Sequence, residues 1–486
     1  MKNISEQNLN VVSGLKPQAL WNHFVTLCVT PRASGEEEMI AGVITELALE
    51  NGLHSYQDGL HNVLVFLPAS PGLENKPIIC LQGHLDMVCE KNADVDELFP
   101  IQLIKDGDKL TADGTTLGAD NGIAVAFMMM LMSHTEIPHG PLELLFTTVE
   151  ETGMDGAQGF NYSLLESKRI LNLDNEIEGV LLVGSAGGCC MEGVFMPHLE
   201  QVVAQSRKYS IKVAGLTGGH SGIDINLGRG NALKILASVI TKLEDLEVKL
   251  VDFEGGNAMN AIPREAVATV MVSAHRAERM CSVLDAFSRE LSQQYSSENL
   301  EVTFCEIESD DDEKVFYPPH QQAFLKLVSE IPNGVVSMEP EDDSMIQTSN
   351  NLGVIKRDGQ KFVITSLHRS SLDSELDKLQ AQIESIFKTA SIAVKTRDRF
   401  SPWEPQFDTN FLGLVKSSYR EFSGQDARVE TIHAGLECSI FYQKMRDVEI
   451  VSCGPTMGLV HSPQEWVSIS SVLRWYNFLL YFSANS

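Results

Sequence analysis

The chain has 486 residues, more than one hydrophobic core usually organises, so its length favours two or three domains. Hydrophobic residues make up 43% and charged residues 21%, the composition of an ordinary folded protein, which excludes a disordered or fibrous chain. Lys and Arg number 37 against 66 Asp and Glu; the net charge of −29 argues against nucleic acid or an anionic membrane as partner, reads first as solubility, and also permits divalent cations, which take carboxylate ligands.

In chain order, residues 1–24 show no basic segment followed by an apolar stretch and a cleavage site, so a cytoplasmic protein is expected. Between residues 76 and 174, β-rich runs alternate with helical patterns: 77–83, then 122–133, 142–149 and 169–173. That order predicts an α/β domain whose sheet is buried on both faces. The apolar stretch 123–132 is far short of the roughly 20 residues a membrane span needs, and reads as a buried helix. After the Gly-rich 184–188 the pattern changes to alternating strands and amphipathic helices (209–213, 231–243, 266–272), which predicts α+β structure. The acidic stretch 306–313 reads as a solvated loop within that region. Strand-then-helix order from 210 to 243 recurs from 362 to 387, a hint of two similar halves. A Pro- and aromatic-containing turn at 400–405 marks the return to the first domain, to whose sheet a run at 448–453 would add a strand. The expected organisation is a discontinuous domain, 1–187 and 400–486, with an inserted α+β domain, 188–399, placed to act as a lid if the first domain carries a site. Nine cysteines without a Cys-x-x-Cys pair point to reduced thiols.

The chemistry-bearing residues cluster at predicted element ends. His84 and Asp86 follow the first run, two residues apart on one side of an extended chain, so one can bind metal while the other orients it. Asp120 stands where the apolar helix needs an N-cap, and its two oxygens can also bridge two cations. Glu150 and Glu151 end the next buried run, where open α/β sheets place ligands; adjacent carboxylates need cations or a shared proton to sit together near a core. Asp174 ends another run, and His461 follows the last through Gly454-Pro455. Each alone also reads as a cap, a structural histidine or a surface turn. Together, His84, Asp120, Glu151, Asp174 and His461 supply mixed N and O ligands for two divalent ions, with Glu150 left over.

The motifs Gln82-Gly83-His84-Leu85-Asp86-Met87-Val88, Thr115-Thr116-Leu117-Gly118-Ala119-Asp120-Asn121-Gly122 and Glu150-Glu151-Thr152-Gly153-Met154-Asp155-Gly156 resemble those of the dinuclear zinc exopeptidases that include aminoacylase, bacterial carboxypeptidase G and carnosinase. Gly218-Gly219-His220-Ser221-Gly222, Asn260-Ala261-Ile262-Pro263-Arg264-Glu265 and His433-Ala434-Gly435-Leu436-Glu437-Cys438 extend the likeness to the aminoacyl-histidine dipeptidase branch, over nearly the whole chain.

The resemblance implies a zinc-exopeptidase-like catalytic domain with a mixed, largely parallel sheet flanked by helices, and two divalent metal ions, Zn2+ or else Co2+ or Mn2+. It implies that Asp120 bridges the ions, that His84 and Asp174 complete one and Glu151 and His461 the other, and that Asp86 supports His84. Glu150 is then the general acid/base acting on a water between the ions, and His220 the second-domain histidine that stabilises the oxyanion. Arg369, in Ser366-Leu367-His368-Arg369-Ser370, resembles the position that binds the substrate carboxylate; Arg264 and Asn260 are further substrate-binding candidates. The implied activity is hydrolysis of small peptides, Xaa-His dipeptides including the β-alanyl-histidine type, in a chain for which a homodimer is the candidate assembly. Gln464-Glu465-Trp466 departs from the family pattern, which bears on substrate preference. The alternatives are an N-acyl-amino-acid deacylase or a tripeptidase using the same ions, and a non-catalytic metal- or peptide-binding protein, against which the surplus acid Glu150 argues.

Overall fold

The computed structural model describes residues 2–134, 136–202, 205–309, 313–339 and 342–486. Two compact units emerge: Met1–Gly184 with Pro405–Thr431 and Leu436–Ser486, and Ser185–Glu404 with Ile432–Gly435. The junctions fall a few residues from 187/188 and 399/400. Residues 432–435 also group with the second unit, although chain order gives them to the first.

The first unit is built on an eight-stranded sheet in the order His54–Gln57, Val63–Leu67, Leu142–Thr147, Ile79–His84, Arg169–Asn172, Glu449–Ser452, Val180–Ser185, Arg428–Ile432. Its four middle strands, from Leu142–Thr147 to Glu449–Ser452, run parallel, and antiparallel pairs flank them. Every residue of Ile79–His84 and Leu142–Thr147 is buried, as expected for strands covered on both faces. One cover is the helix Ala119–Ser133, buried throughout 123–132. A helix apolar on all sides belongs inside a core. Trp21, Phe24, Phe127, Trp475 and Phe478 fill the same core. Among the described residues no helix is long and apolar enough to cross a membrane.

The second unit carries a nine-stranded antiparallel sheet with a core of its own, in which Phe195, Phe253, Phe316, Phe324 and Phe362 pack under the helices Ala232–Lys242, Pro318–Glu330 and Asp373–Thr389. The repeated strand-then-helix order is present as Ser206–Ala214 followed by Ala232–Lys242, and Lys361–Ser370 followed by Asp373–Thr389. The acidic stretch is not simply a loop. Glu306 lies in the strand Glu301–Ile307 and pairs with Arg207, while Glu313 pairs with Lys208; Asp310, Asp311 and Asp312 lie outside the described residues. All nine cysteines are free thiols.

Candidate metal centre

Parallel strands end on one edge of a sheet, so the carboxyl ends of Ile79–His84, Leu142–Thr147 and Arg169–Asn172 deliver His84, Glu150 with Glu151, and Asp174 to one place. His84 is buried and its two ring nitrogens have different work. Nδ1 lies 3.1 Å from the Asp86 carbonyl oxygen and 3.4 Å from Asp86 Oδ1, while Nε2 lies 3.2 Å from Asp120 Oδ1 and 3.4 Å from Asp174 Oδ1. Asp86 does more than brace His84. It also accepts the backbone N–H groups of Glu150 and Glu151, at 3.1 Å each, and the Ser34 hydroxyl at 2.7 Å, so one carboxylate fixes two strand ends. Burial works against its charge, but His84, Ser34 and the Glu151 amide outweigh it and hold the carboxyl down at about 2.

Asp120 stands at a kink where the helix begins, with the extended φ −78° and ψ 114° that an N-cap residue adopts, but its side-chain oxygens make no capping bond to a backbone amide among the described residues. Its side chain faces the two histidines, with Oδ2 3.2 Å from His461 Nε2 as Oδ1 is from His84 Nε2. Glu151 Oε2 approaches the same His461 nitrogen at 3.1 Å, and Glu151 Oε1 is buried with no partner among the described residues. Asn121 donates to Asp174 Oδ1 at 2.6 Å and orients it.

The donor atoms form three groups, each within 4.8 Å: His84, Asp120 and Asp174; Asp120, Glu151 and His461; and His84, Glu150 and Glu151. The first two share Asp120. Burial pushes the Asp174 carboxyl up to about 7, with Asp120 and Glu151 adding to the rise against His84. Glu150 is pushed well up, first by burial and then by Asp174, Glu151 and Glu437, against the pull of His84. Burial would lower His461, but Asp120 and Glu151 raise it to about 11. Among the described residues no Lys or Arg pairs with Asp120, Glu151 or Asp174. Carboxylates crowded around two imidazoles with no basic side chain to balance them, and an orphaned oxygen among them, fit a pair of divalent cations.

The remaining candidates lie in the second unit. His220 is held by its backbone N–H to Asp224 Oδ2 at 2.9 Å, while its Nδ1 accepts from the Gly222 and Ile223 amides at 3.2 Å each. The short strand Gly219–His220 pairs with Ala261–Ile262, and the Asn260 carbonyl accepts from the Ser221 amide at 2.8 Å; Asn260 and Arg264 are exposed. Arg369 is buried. Its Nε has no partner and no carboxylate pairs with it among the described residues, and burial lowers its guanidinium to about 10. Beside it, His433 meets Ser349 Oγ at 2.7 Å.

Sequence reasoning passed over Ser34, Asn121, and the buried Glu437, whose Oε2 accepts from Gln82 Nε2 at 2.7 Å and Thr147 Oγ1 at 2.6 Å beneath the centre. Membership of a motif was the only signal for Asn121 and Glu437; Ser34 had none. Trp466 belongs to a small sheet, opposite Thr111 and Gly458, with Lys109 Nζ 3.9 Å from its ring centre, and Glu465 points inward.

Over 97% of its length the chain is 35% identical to the cytosol non-specific dipeptidase of Escherichia coli strain K12, of which it covers 98%. It superimposes on the aminoacylhistidine dipeptidase of Vibrio alginolyticus with a TM-score of 0.84 and 35% identity, over 97% of each chain. A tripeptidase from Staphylococcus aureus, at 16% identity, TM-score 0.56 and 97% and 98% coverage, shares the fold. Residues 80–485, which carry the whole cluster from His84 to His461, match Peptidase family M20/M25/M40, and the chain belongs to that family.

Proposed function

We propose that this peptidase is a metal-dependent dipeptidase acting on Xaa-His dipeptides, the β-alanyl-histidine type among them. The observation that carries the reading is the position of Asp120, whose two oxygens each face a different imidazole, as a carboxylate shared by two cations must. His84 and Asp174 would hold one ion, and Glu151 and His461 the other. Zn2+ suits this N and O donor set, and Co2+ or Mn2+ can replace it. Once bound, such a pair supplies Lewis acidity, polarising the scissile carbonyl and acidifying water.

Glu150 takes the proton of the attacking water on a carboxylate oxygen and returns it to the leaving amine nitrogen; a buried carboxyl with raised proton affinity is suited to both transfers. Asp86 fixes the imidazole tautomer of His84 from behind. His220 donates to the developing oxyanion. Arg369, a buried cation without a counter-charge among the described residues, binds the free α-carboxylate of the dipeptide, with Arg264 and Asn260 as further substrate contacts. The Vibrio relative is named for aminoacyl-histidine substrates and the Escherichia coli relative as cytosolic and non-specific, which supports a cytoplasmic dipeptidase and leaves breadth of preference to assay.

Histidine release from a panel of dipeptides should be abolished by chelator and restored by Zn2+ or Co2+. Turnover of N-acyl amino acids or tripeptides in preference to any dipeptide would overturn the substrate class, and chelator-resistant turnover would overturn the metal. His220→Ala should lower kcat more than it raises KM, because the oxyanion exists only beyond the ground state; an unchanged kcat removes His220 from the reaction.

A further inference from the structure

Glu465 was read from sequence only as part of a departure bearing on substrate preference. It is 2% exposed, and both carboxylate oxygens are spent on backbone amides. Oε2 accepts from Leu117 at 2.7 Å and Gly118 at 2.9 Å, and Oε1 from Ala119 at 2.8 Å and Asp120 at 3.4 Å. These are the amides that enter the helix bearing Asp120, donors that a helix leaves unpaired at its start. The carbonyl side of the same loop is taken by Arg32. Its Nη2 donates to the Gly118 carbonyl at 2.6 Å, and its Nη1 to the carbonyls of Leu85 at 2.9 Å and Asp86 at 3.0 Å, next to His84. Gly118 is fixed by this arrangement, because its φ is +68° and a Cβ there would stand 2.3 Å from Arg32 Nη2.

We propose that Glu465 is a positioning residue for the metal centre, tying the loop that presents Asp120 to the loop that presents His461. The inference rests on the dinuclear reading and adds to it a cause for the shared position of Asp120. His461 lies four residues before Glu465, its side chain is 49% exposed and its φ is +61°, so it has little packing of its own. The Glu465 amide donates to the Ser462 carbonyl at 3.0 Å and the Glu465 carbonyl accepts from Thr111 Oγ1 at 2.6 Å, which anchors that loop to the carboxylate. His84 needs no such help, since it ends a buried strand and is braced by Asp86. Loss of Glu465 should therefore fall on the ion held by Asp120, Glu151 and His461 more than on the ion held by His84, Asp120 and Asp174.

The test is calorimetric titration of the metal-free chain with Co2+, comparing wild type, His461→Ala and Glu465→Gln. The step weakened in His461→Ala identifies the second ion. Glu465→Gln keeps the size of the side chain but presents an NH2 group to amides that need an acceptor, and should weaken that same step about 10–100-fold, the usual effect of losing a group that orients a ligand, with the other step close to wild type. Two unchanged steps, or two equally weakened ones, would overturn the proposal. Wild type binding fewer than two ions would instead remove the dinuclear reading. Should Glu465→Gln fail to fold, amide exchange in metal-free wild type decides: the Leu117, Gly118 and Ala119 amides should be protected, and free exchange there overturns the role.

Discussion

Glu150→Gln should lower kcat by about 10²–10⁴-fold, the loss typical of a missing general acid/base, with both metal ions still bound. The neighbouring acid should behave differently. Glu151 Oε2 faces His461 at 3.1 Å in a group that includes Asp120, so Glu151→Gln should weaken one ion, and added metal should restore part of the activity. Among the described residues Glu150 groups with His84 and Glu151, and its raised proton affinity equips it to accept and return a proton. Steady-state kinetics beside metal titration separates the two. If Glu150→Gln lost an ion while Glu151→Gln kept both, the roles would be exchanged. A fully active Glu150→Gln would sink the hydrolytic mechanism.

Asp120→Ala should abolish activity by removing both ions, whereas His461→Ala should spare the ion at His84. The difference follows from sharing: Asp120 contributes one oxygen to each of two donor groups. It also holds protons on the histidines. His461 is raised to about 11 by Asp120 and Glu151, so in the metal-free protein at neutral pH the imidazole is protonated and must lose that proton to bind a cation. Metal binding by wild type should therefore release protons near pH 7, and affinity should rise with pH. Calorimetry in two buffers of different ionisation heat reads the release directly. Two ions retained in Asp120→Ala would show that its carboxylate is not shared.

The candidate site residues were legible because a parallel strand ends where its apolar run ends, and His84, Glu150, Glu151 and Asp174 each stand at the end of such a run or just after it. Resemblance assigned them, and the geometry brings their donor atoms together. The flanking antiparallel strands were less legible. His54–Gln57 is largely exposed and four residues long, too short for periodicity to register. Glu465 was illegible in kind. Its partners are backbone amides about 345 residues earlier in the chain, and an amide carries no side-chain signature. Asp120 was open to two readings because capping and bridging ask for the same residue at the same place; its backbone angles suit either, and only the direction of its oxygens, toward His84 and His461, separates them. The motif His433–Cys438 straddles the two units: His433, Ala434 and Gly435 group with the second, and Leu436, Glu437 and Cys438 with the first.

The strand Glu449–Ser452 lies between Arg169–Asn172 and Val180–Ser185, neighbours made more than half the chain earlier. A ribosome therefore releases a first half whose sheet has an empty slot, and the whole inserted unit emerges before the strand that fills it. Unpaired strand edges are an aggregation hazard, and here they would stay unpaired until the segment from residue 449 onward appears. That segment also carries His461. Completion of the sheet and of the candidate metal centre would thus be the same late event, and a chain truncated before residue 449 would lack both.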